Sequence, residues 1–189
     1  LEVYLTSVTE QYGTISLNGP NSRKLMQKLN ADYDFSKENF SHMSFKNINL
    51  CGVECRVMRI SFTGELCYEI NVPSGYAKYL WEICIEKGQE FSITPYGTEA
   101  MHVLRAEKGF IIVGQETDGS VTPIDLDMDW IVSKKKYDFV GKRALNRSDT
   151  IKKDRKQLVG LKTKDPNKVL EEGAQLVEAL TTLPMKMVG

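Results

Sequence analysis

Alternating apolar and polar residues make the stretch RISFTGELCYEI, residues 59–70, the part of the sequence that most restricts the fold. Two short apolar runs flank Thr63, Gly64 and Glu65, a composition typical of a β-hairpin. The three residues would form the turn, with Gly64 in the left-handed conformation that glycine adopts readily. The sequence therefore predicts two antiparallel strands joined at Gly64, in a register that pairs Arg59 with Glu69.

The second strand of this hairpin carries a carboxylate among apolar residues. Successive side chains of a strand point to opposite faces, so Tyr68 and Ile70 would share the apolar face and Glu69 would lie on the polar one. Two interpretations of Glu69 follow. It forms an exposed ion pair with Arg59, which would contribute well under ~1 kcal/mol, or it binds a ligand. The pattern alone favours the ion pair.

The rest of the chain predicts a mixture of short strands and helices, which indicates an α+β protein. Hydrophobic periodicity and turn residues predict strands at 9–17, 45–50, 53–62 and 157–162, with a turn at Cys51-Gly52. They also predict helices of about ten residues after Pro20, and at 75–87, 94–108 and 141–154.

The helix at 94–108 has a predicted apolar stripe of Tyr96, Ala100, Val103 and Leu104. Glu107 falls inside this stripe, where a carboxylate needs a partner or stays near the rim. Arg105 falls outside it, so the pattern predicts that Arg105 lies on the solvated face.

Composition excludes several classes of function. The 189 residues include 25 basic and 25 acidic side chains, so there is no basic surface of the kind that binds nucleic acid. No apolar run approaches the roughly 18 residues of a membrane helix, and no signal peptide is visible. These features predict a cytoplasmic protein. The first residue is Leu1 rather than Met, and we expect the chain to be part of a longer polypeptide.

The cysteines and aspartates do not predict a metal site. The spacing of Cys51 and Cys55 lacks a second pair of ligands for zinc, and the four cysteines are expected to be reduced and buried. The run IDLDMDW, residues 124–130, resembles the start of a calcium loop, but Trp130 stands where the loop requires glycine and Lys136 where it requires glutamate.

Several motifs in a fixed order resemble the aminomethyltransferase superfamily, whose type member is the glycine cleavage T-protein. They are Gly19-Pro20, Phe62-Thr63-Gly64-Glu65 followed by Glu69-Ile70, Leu104 to Gly109 (LRAEKG), Gly114, Thr122-Pro123, Trp130 and Gly141 to Leu145 (GKRAL). Within the superfamily, VYLTSVTEQ at the start of the chain, SFTGE at 61–65, LVGLKTKDPNKVLEEGAQLVE at 158–178 and PMKM at 184–187 are most similar to the C-terminal region of heterotetrameric sarcosine oxidase α subunits.

The resemblance implies a binding site for tetrahydrofolate. It assigns Glu69 to the pterin edge and Arg105 to the same site, with Phe62 and Trp130 as further folate-binding residues. Glu107 would be a structural carboxylate at the helix end. Phe62 stands where T-proteins have tyrosine, which fits the sarcosine oxidase branch.

The resemblance also implies two domains and an incomplete catalytic site. Residues 1–150 would be part of a folate-binding domain with an antiparallel sheet and packed helices, and residues 151–189 the start of a small C-terminal β domain. The acidic catalytic residue of the family belongs to a segment upstream of the region matching Leu1. No catalytic residue is therefore expected here, and the isolated chain is expected to be inactive.

The expected function is capture of the one-carbon unit of oxidised sarcosine as 5,10-methylenetetrahydrofolate. The parent enzyme would bind FAD or FMN and NAD outside this chain, and the partners would be the other subunits of the oxidase. Two alternatives remain: a stand-alone aminomethyltransferase, and a folate-binding module without chemistry of its own. An upstream segment that carries the family's aspartate would distinguish catalysis from simple binding.

Overall fold

The computed structural model describes residues 2–171 and 173–177, and the chain divides into two compact units, Leu1–Asp118 and Gly119–Gly189. The division expected from the family, 1–150 and 151–189, remains a prediction. Within the described residues, no helix is both long and apolar enough to cross a membrane.

The first unit contains one antiparallel sheet of four strands. They are β1 (Tyr12–Asn18), β2 (Phe45–Leu50), β3 (Val53–Met58) and β4 (Cys67–Pro73), in the spatial order β1-β4-β3-β2. The helices of this unit are α1 (Ser22–Leu29), α2 (Ala77–Gly88) and α3 (Thr98–Lys108). This combination confirms the α+β class. The strand order makes β4 an inner strand, which pairs with β1 on one side and β3 on the other.

One face of the sheet forms the hydrophobic core with α1 and α2. In α1, the apolar residues Leu25, Met26 and Leu29 recur at helical spacing and are all buried, as predicted. The core comprises Ile15, Leu17, Ile48, Leu50, Val53, Cys55, Val57, Tyr68, Ile70, Val72, Leu80 and Cys84 together with the apolar residues of α1.

The segment between α1 and β2 also contributes to the core, although the sequence there is largely polar. Phe35 and Phe40 are fully buried, and their rings lie 6.1 Å and 5.8 Å from the ring of Tyr68. These distances are those of ordinary aromatic pairs. Two aromatic anchors thus hold an otherwise irregular segment against the sheet.

All four cysteines are free. Three of them are buried, as predicted, whereas Cys51 is only partly buried. Burial raises the pKa of Cys55 to about 11 and that of Cys84 to about 12. Both therefore remain neutral thiols that pack as small apolar side chains.

The β2–β3 hairpin follows the sequence prediction at its turn. Cys51 and Gly52 have φ values of 50° and 88°, and Leu50 pairs with Val53 across them. Positive φ at both positions is typical of the type I′ turns that match the twist of a hairpin. The strand after the turn ends at Met58, however, and not at Phe62.

The predicted three-residue turn between β3 and β4 is wrong. Residues 59–66 connect the two strands, and Glu69 pairs with Met58 rather than with Arg59. The Arg59 side chain donates to the carbonyl oxygen of Cys67 at 3.3 Å, and its guanidinium lies 5.3 Å from the centre of the Tyr68 ring. These contacts remove Arg59 from the polar face. Only the left-handed Gly64, with φ 81°, agrees with the prediction.

The second unit, as far as it is described, contains one short α-helix, α4 (Lys142–Leu145), in place of the helix predicted over 141–154, and two 3-10 turns at Ile124–Leu126 and Asp129–Ile131. The Thr150 hydroxyl donates to the carbonyl oxygens of Ala144 and Arg147 at 2.8 Å and 3.0 Å. A side chain that donates to these carbonyl oxygens competes with the main-chain hydrogen bonds that would continue the helix.

The strand predicted at 157–162 is also absent from the described residues of the second unit. Instead, the Leu158 N–H donates to the carbonyl oxygen of Asp125 at 2.8 Å. Arg155, three residues earlier, binds the side chain of Asp125. The segment is thus held by a polar contact. The small C-terminal β domain remains a prediction, and residues 178–189 lie outside the described residues.

Asp125 belongs to the run that resembles a calcium loop, but its carboxylate has another role. Arg155 donates to it twice, from Nε at 2.8 Å and from Nη2 at 2.5 Å, and Thr122 donates from its main chain and hydroxyl at 2.8 Å and 2.9 Å. The Arg155 hydrogen bonds hold the pKa of Asp125 well below its usual range. No group of three or more histidine, cysteine or acidic residues in the described part of the chain could hold a metal ion.

Candidate functional site

Glu69 lies near the start of the inner strand β4, on the face of the sheet opposite the core. Its cross-strand neighbours are Ser16 of β1 and Met58 of β3. The neighbouring residues Tyr68 and Ile70 are fully buried, whereas Glu69 is half-buried. The alternation predicted from the sequence is therefore confirmed for this strand.

The carboxylate of Glu69 has no hydrogen bond or ion pair with any of the described residues, so the predicted pair with Arg59 is wrong. Burial raises the pKa of Glu69 above its ordinary value. Withdrawal of a carboxylate from water is unfavourable unless donors replace the water. Glu69 is thus a charged acceptor for which the described protein supplies no donor.

A polar network that includes Ser16 and Asn18 of β1 lies beside this position, and sequence reasoning missed it. Asn18 donates from Nδ2 to Ser16 Oγ at 2.9 Å and to the Tyr96 hydroxyl at 2.5 Å, and it accepts from Thr63 Oγ1 at 2.9 Å. The alternation of polar residues with Ile15 and Leu17 along β1 was the signal that could have predicted this network.

A cavity of about 530 Å³ borders the network. Its polar lining includes Ser16, Asn18 and Tyr96, and its apolar lining includes Trp81 and Met101. Glu69 and Arg105 do not line it. Glu69 adjoins it only through its cross-strand partner Ser16. The volume is in the range of small-molecule sites.

Arg105 is the buried residue of α3, contrary to the prediction of a solvated side chain. Only 8% of its surface is exposed. Nη1 donates to Glu116 Oε1 at 2.6 Å and to the carbonyl oxygen of Phe110 at 3.1 Å. The predicted stripe is reversed as well, because Val103 is 50% exposed and Glu107 is exposed. Glu107 is therefore not a carboxylate enclosed in an apolar stripe.

The boundaries of α3 explain part of this error. The helix begins at Thr98, with Gly97 as N-cap, rather than at Thr94-Pro95. Tyr96 lies outside the helix and accepts the hydrogen bond from Asn18. At the other end Gly109 has a φ of 80°, and the Phe110 N–H donates to the carbonyl oxygen of Arg105 at 2.8 Å, as expected for a glycine that ends a helix.

Glu116 is a second residue that sequence reasoning missed. Its Oε2 accepts from the Ile112 N–H at 2.6 Å while Oε1 binds Arg105. Burial alone would raise the pKa of Glu116, but the hydrogen bonds from Ile112 and Arg105 outweigh it and lower the pKa. The ion pair with Arg105 is thus maintained over a wide pH range.

Phe62 is half-buried in the connection between β3 and β4. Two residues on, Gly64 lies so close to α3 that a Cβ there would stand 2.5 Å from Lys108 Cγ. The connection that carries Phe62 therefore packs against α3, the helix that carries Arg105. Trp130 belongs to the second unit, where 73% of its surface is exposed.

Residues 2–136 match the GCVT N-terminal domain. The chain belongs to the GCVT N-terminal domain family. The matched region of this GCVT domain contains the whole sheet, Glu69, Arg105 and Trp130.

The curated relatives of this GCVT domain confirm the resemblance seen in the motifs. The chain is 55% identical over 178 residues to the sarcosine oxidase subunit alpha of Corynebacterium sp. (strain P-1). It is 53% identical over 180 residues to that of strain U-96. These matches cover 94% and 95% of the chain, and 18% of each subunit. An aminomethyltransferase of Thermoanaerobacter sp. (strain X514) is 35% identical, over 76% of the chain and 39% of that protein. The chain therefore spans about a fifth of the length of the oxidase subunits.

Proposed function

We propose that this chain is the tetrahydrofolate-binding part of a sarcosine oxidase α subunit. The observation that carries the proposal is the half-buried carboxylate of Glu69, which has no donor among the described residues. A pterin ring has an amino group and a ring N–H side by side, and one carboxylate can accept from both. Hydrogen bonds to a charged acceptor contribute roughly 1.5–3 kcal/mol, more than an exposed ion pair.

The other proposed contacts fit the same ligand. Arg105 supplies a guanidinium whose position is fixed by Glu116. Phe62, in the connection that leads into β4, supplies an aromatic ring. The role of Trp130 in folate binding stays a prediction from the family resemblance. A guanidinium binds carbonyl or carboxylate groups, and an aromatic ring stacks on planar rings. Folates contain all of these groups.

The expected chemistry is the transfer of a one-carbon unit. Tetrahydrofolate supplies the amine nitrogens that capture the carbon as 5,10-methylenetetrahydrofolate. The parent enzyme would oxidise the N-methyl group of sarcosine to an imine at a flavin outside this chain, with glycine as the other product. This chain's residues bind and orient the folate, a contribution of position rather than of bond making. The catalytic acid, the flavin and the NAD site are expected elsewhere in the polypeptide or its partner subunits.

Similarity supports the choice of an oxidase over a stand-alone aminomethyltransferase. Identity is 53–55% over nearly the whole chain for the oxidase subunits and 35% over 76% of it for the aminomethyltransferase. Phe62, where T-proteins have tyrosine, supports the same choice.

The test is calorimetric titration of tetrahydrofolate, under anaerobic conditions, into the purified chain and into Glu69→Gln. The expected result is binding by the wild type and a loss of at least about tenfold in affinity for the variant, which corresponds to roughly 1.4 kcal/mol. Glu54→Gln is the matched control, because Glu54 is an exposed carboxylate of the adjacent strand β3. A folded wild type that binds no folate, or a Glu69→Gln variant with unchanged affinity, would contradict the proposal.

A further inference from the structure

Glu116 connects helix α3 to the segment that directly follows it. One carboxylate oxygen accepts from Arg105 in α3, and the other accepts from the main chain of Ile112 in the segment that follows the helix. Both distances are 2.6 Å, short enough for charge-assisted hydrogen bonds. Glu116 itself is about one-quarter exposed, whereas the Arg105 side chain is nine-tenths buried.

Arg105 uses only part of its donor capacity in these contacts. Nη1 serves both Glu116 and the carbonyl oxygen of Phe110. Nε is buried and has no hydrogen-bond partner among the described residues. An unpaired donor of this kind is destabilising, and it is rare enough in native proteins to need an explanation. One explanation is that a bound ligand supplies the missing acceptor. This explanation fits the geometry of a guanidinium, because Nε and Nη2 form the fork that binds two oxygens.

We propose that Glu116 is a positioning residue for the folate: it fixes the guanidinium of Arg105 through Nη1 and thereby leaves the Nε edge to an acceptor oxygen of the ligand. This inference rests on the proposed function and adds a residue to it. Glu116 does not touch the folate. Its effect passes through Arg105, since a flexible arginine side chain would otherwise have to be ordered when the ligand binds.

The test is a double-mutant cycle on tetrahydrofolate affinity, measured by calorimetry with the full chain. The variants are Glu116→Ala, Arg105→Ala and the double variant. The expected loss is about tenfold or more for each single variant, and less than about twofold on adding Glu116→Ala to Arg105→Ala. Glu116→Gln, which keeps one acceptor oxygen for Nη1, is expected to restore part of the affinity lost in Glu116→Ala.

A purely structural role for Glu116 gives a different result. Met26→Ala is the control for that role, because Met26 is fully buried in α1 and its removal lowers stability without touching Arg105. Affinity in Met26→Ala is expected to stay within about twofold of the wild type at a temperature where the variant is folded.

Three outcomes would overturn the inference. Unchanged affinity in Glu116→Ala contradicts it directly, and an equal loss in the wild-type and Arg105→Ala backgrounds shows that Glu116 does not act through Arg105. In both cases the proposed function stands, because the wild type binds. A folded wild type that does not bind tetrahydrofolate overturns the proposed function and this inference together.

Discussion

Arg155 binds the carboxylate of Asp125 with two hydrogen bonds, from Nε at 2.8 Å and from Nη2 at 2.5 Å. The same guanidinium also donates to the main-chain carbonyl oxygens of Ser120 and Asp149, at 2.6 Å and 3.0 Å. One side chain thus joins three stretches of the second unit, whose described part has only the single turn of α4 as α-helix. These contacts connect segments of the second unit that are distant in sequence.

Acid is expected to weaken the second unit through Asp125. The pKa of Asp125 is lowered in the folded chain, so its stabilising effect is complete above the unfolded pKa of about 3.9 and is lost as the pH falls toward the folded value. The unfolding free energy should therefore decline below about pH 5. Asp125→Asn should be less stable at pH 7 by roughly 1–3 kcal/mol, with a weaker dependence on acid.

Urea unfolding of this unit can be followed by the fluorescence of Trp130 in a Trp81→Phe background, because Trp81 belongs to the first unit and Trp130 to the second. The control is Asp129→Asn, which removes a neighbouring carboxylate whose ion pair with Lys134 is exposed. Equal slopes of stability against pH in Asp125→Asn and the wild type would contradict this account.

Glu69→Gln is expected to stabilise the folded chain while it weakens folate binding. The pKa of Glu69 is raised on folding, so the wild type loses stability as the pH rises through the window from the unfolded value of about 4.5 to the folded value. Glutamine has no such penalty. The gain at pH 7 should be below about 1 kcal/mol, because the side chain is only partly buried, and it should shrink toward pH 4.

Denaturant unfolding of Glu69→Gln at pH 7 and pH 4 measures this difference. Glu54→Gln, the exposed neighbour, should show no gain at either pH. A variant that is less stable than the wild type at pH 7 would mean that Glu69 has a stabilising partner in the fold. The opposite signs expected for stability and affinity are typical of residues kept for binding.

Two glycines with similar backbone angles are expected to respond differently to alanine. Gly52 has a φ of 88°, and a Cβ there would have no atom of the described residues within 4 Å, so Gly52→Ala should cost only the left-handed backbone term of about 1–2 kcal/mol. Gly64 has a φ of 81°, and a Cβ there would stand 2.5 Å from Lys108 Cγ. Gly64→Ala should cost more, and it should lower folate affinity by moving the connection that carries Phe62 away from α3.

Thermal unfolding and folate titration of the two variants provide the comparison, with Gly52→Ala as the control for backbone strain alone. If Gly64→Ala binds folate as tightly as Gly52→Ala, the close packing of the connection on α3 has no part in the site.

The sequence was most informative where structure depends on neighbouring residues. The apolar spacing of α1 and the Cys51-Gly52 turn are local features, and both are predicted correctly. The predicted β3–β4 register is wrong because contacts between residues distant in sequence decide the observed one. Arg59 lies on the ring of Tyr68, and Thr63 donates to Asn18 of β1. Alternation along one strand carries no information about these partners.

The candidate site was predictable in part for the same reason. The face of Glu69 follows from strand alternation, but the burial of Arg105 depends on Glu116, which lies 11 residues further along the chain and outside the helix. A helical wheel counts a charged residue as solvated unless its partner is known. The helix predicted over 141–154 ends early, where the Thr150 hydroxyl donates to the carbonyl oxygens of Ala144 and Arg147. The strand predicted over 157–162 is absent from the described residues, and the main chain of Leu158 donates to Asp125 instead of to a neighbouring strand.

The inner position of β4 has a consequence for redesign. Because β1 and β3 both pair with this strand, its main chain cannot slide without breaking two ladders, and a shift of one residue would turn Glu69 into the core. An engineer who wished to alter the ligand preference would keep the strand fixed and exchange the flanking side chains at Ser16 and Met58. The carboxylate would then serve as a constant anchor, and its two neighbours would be the adjustable positions.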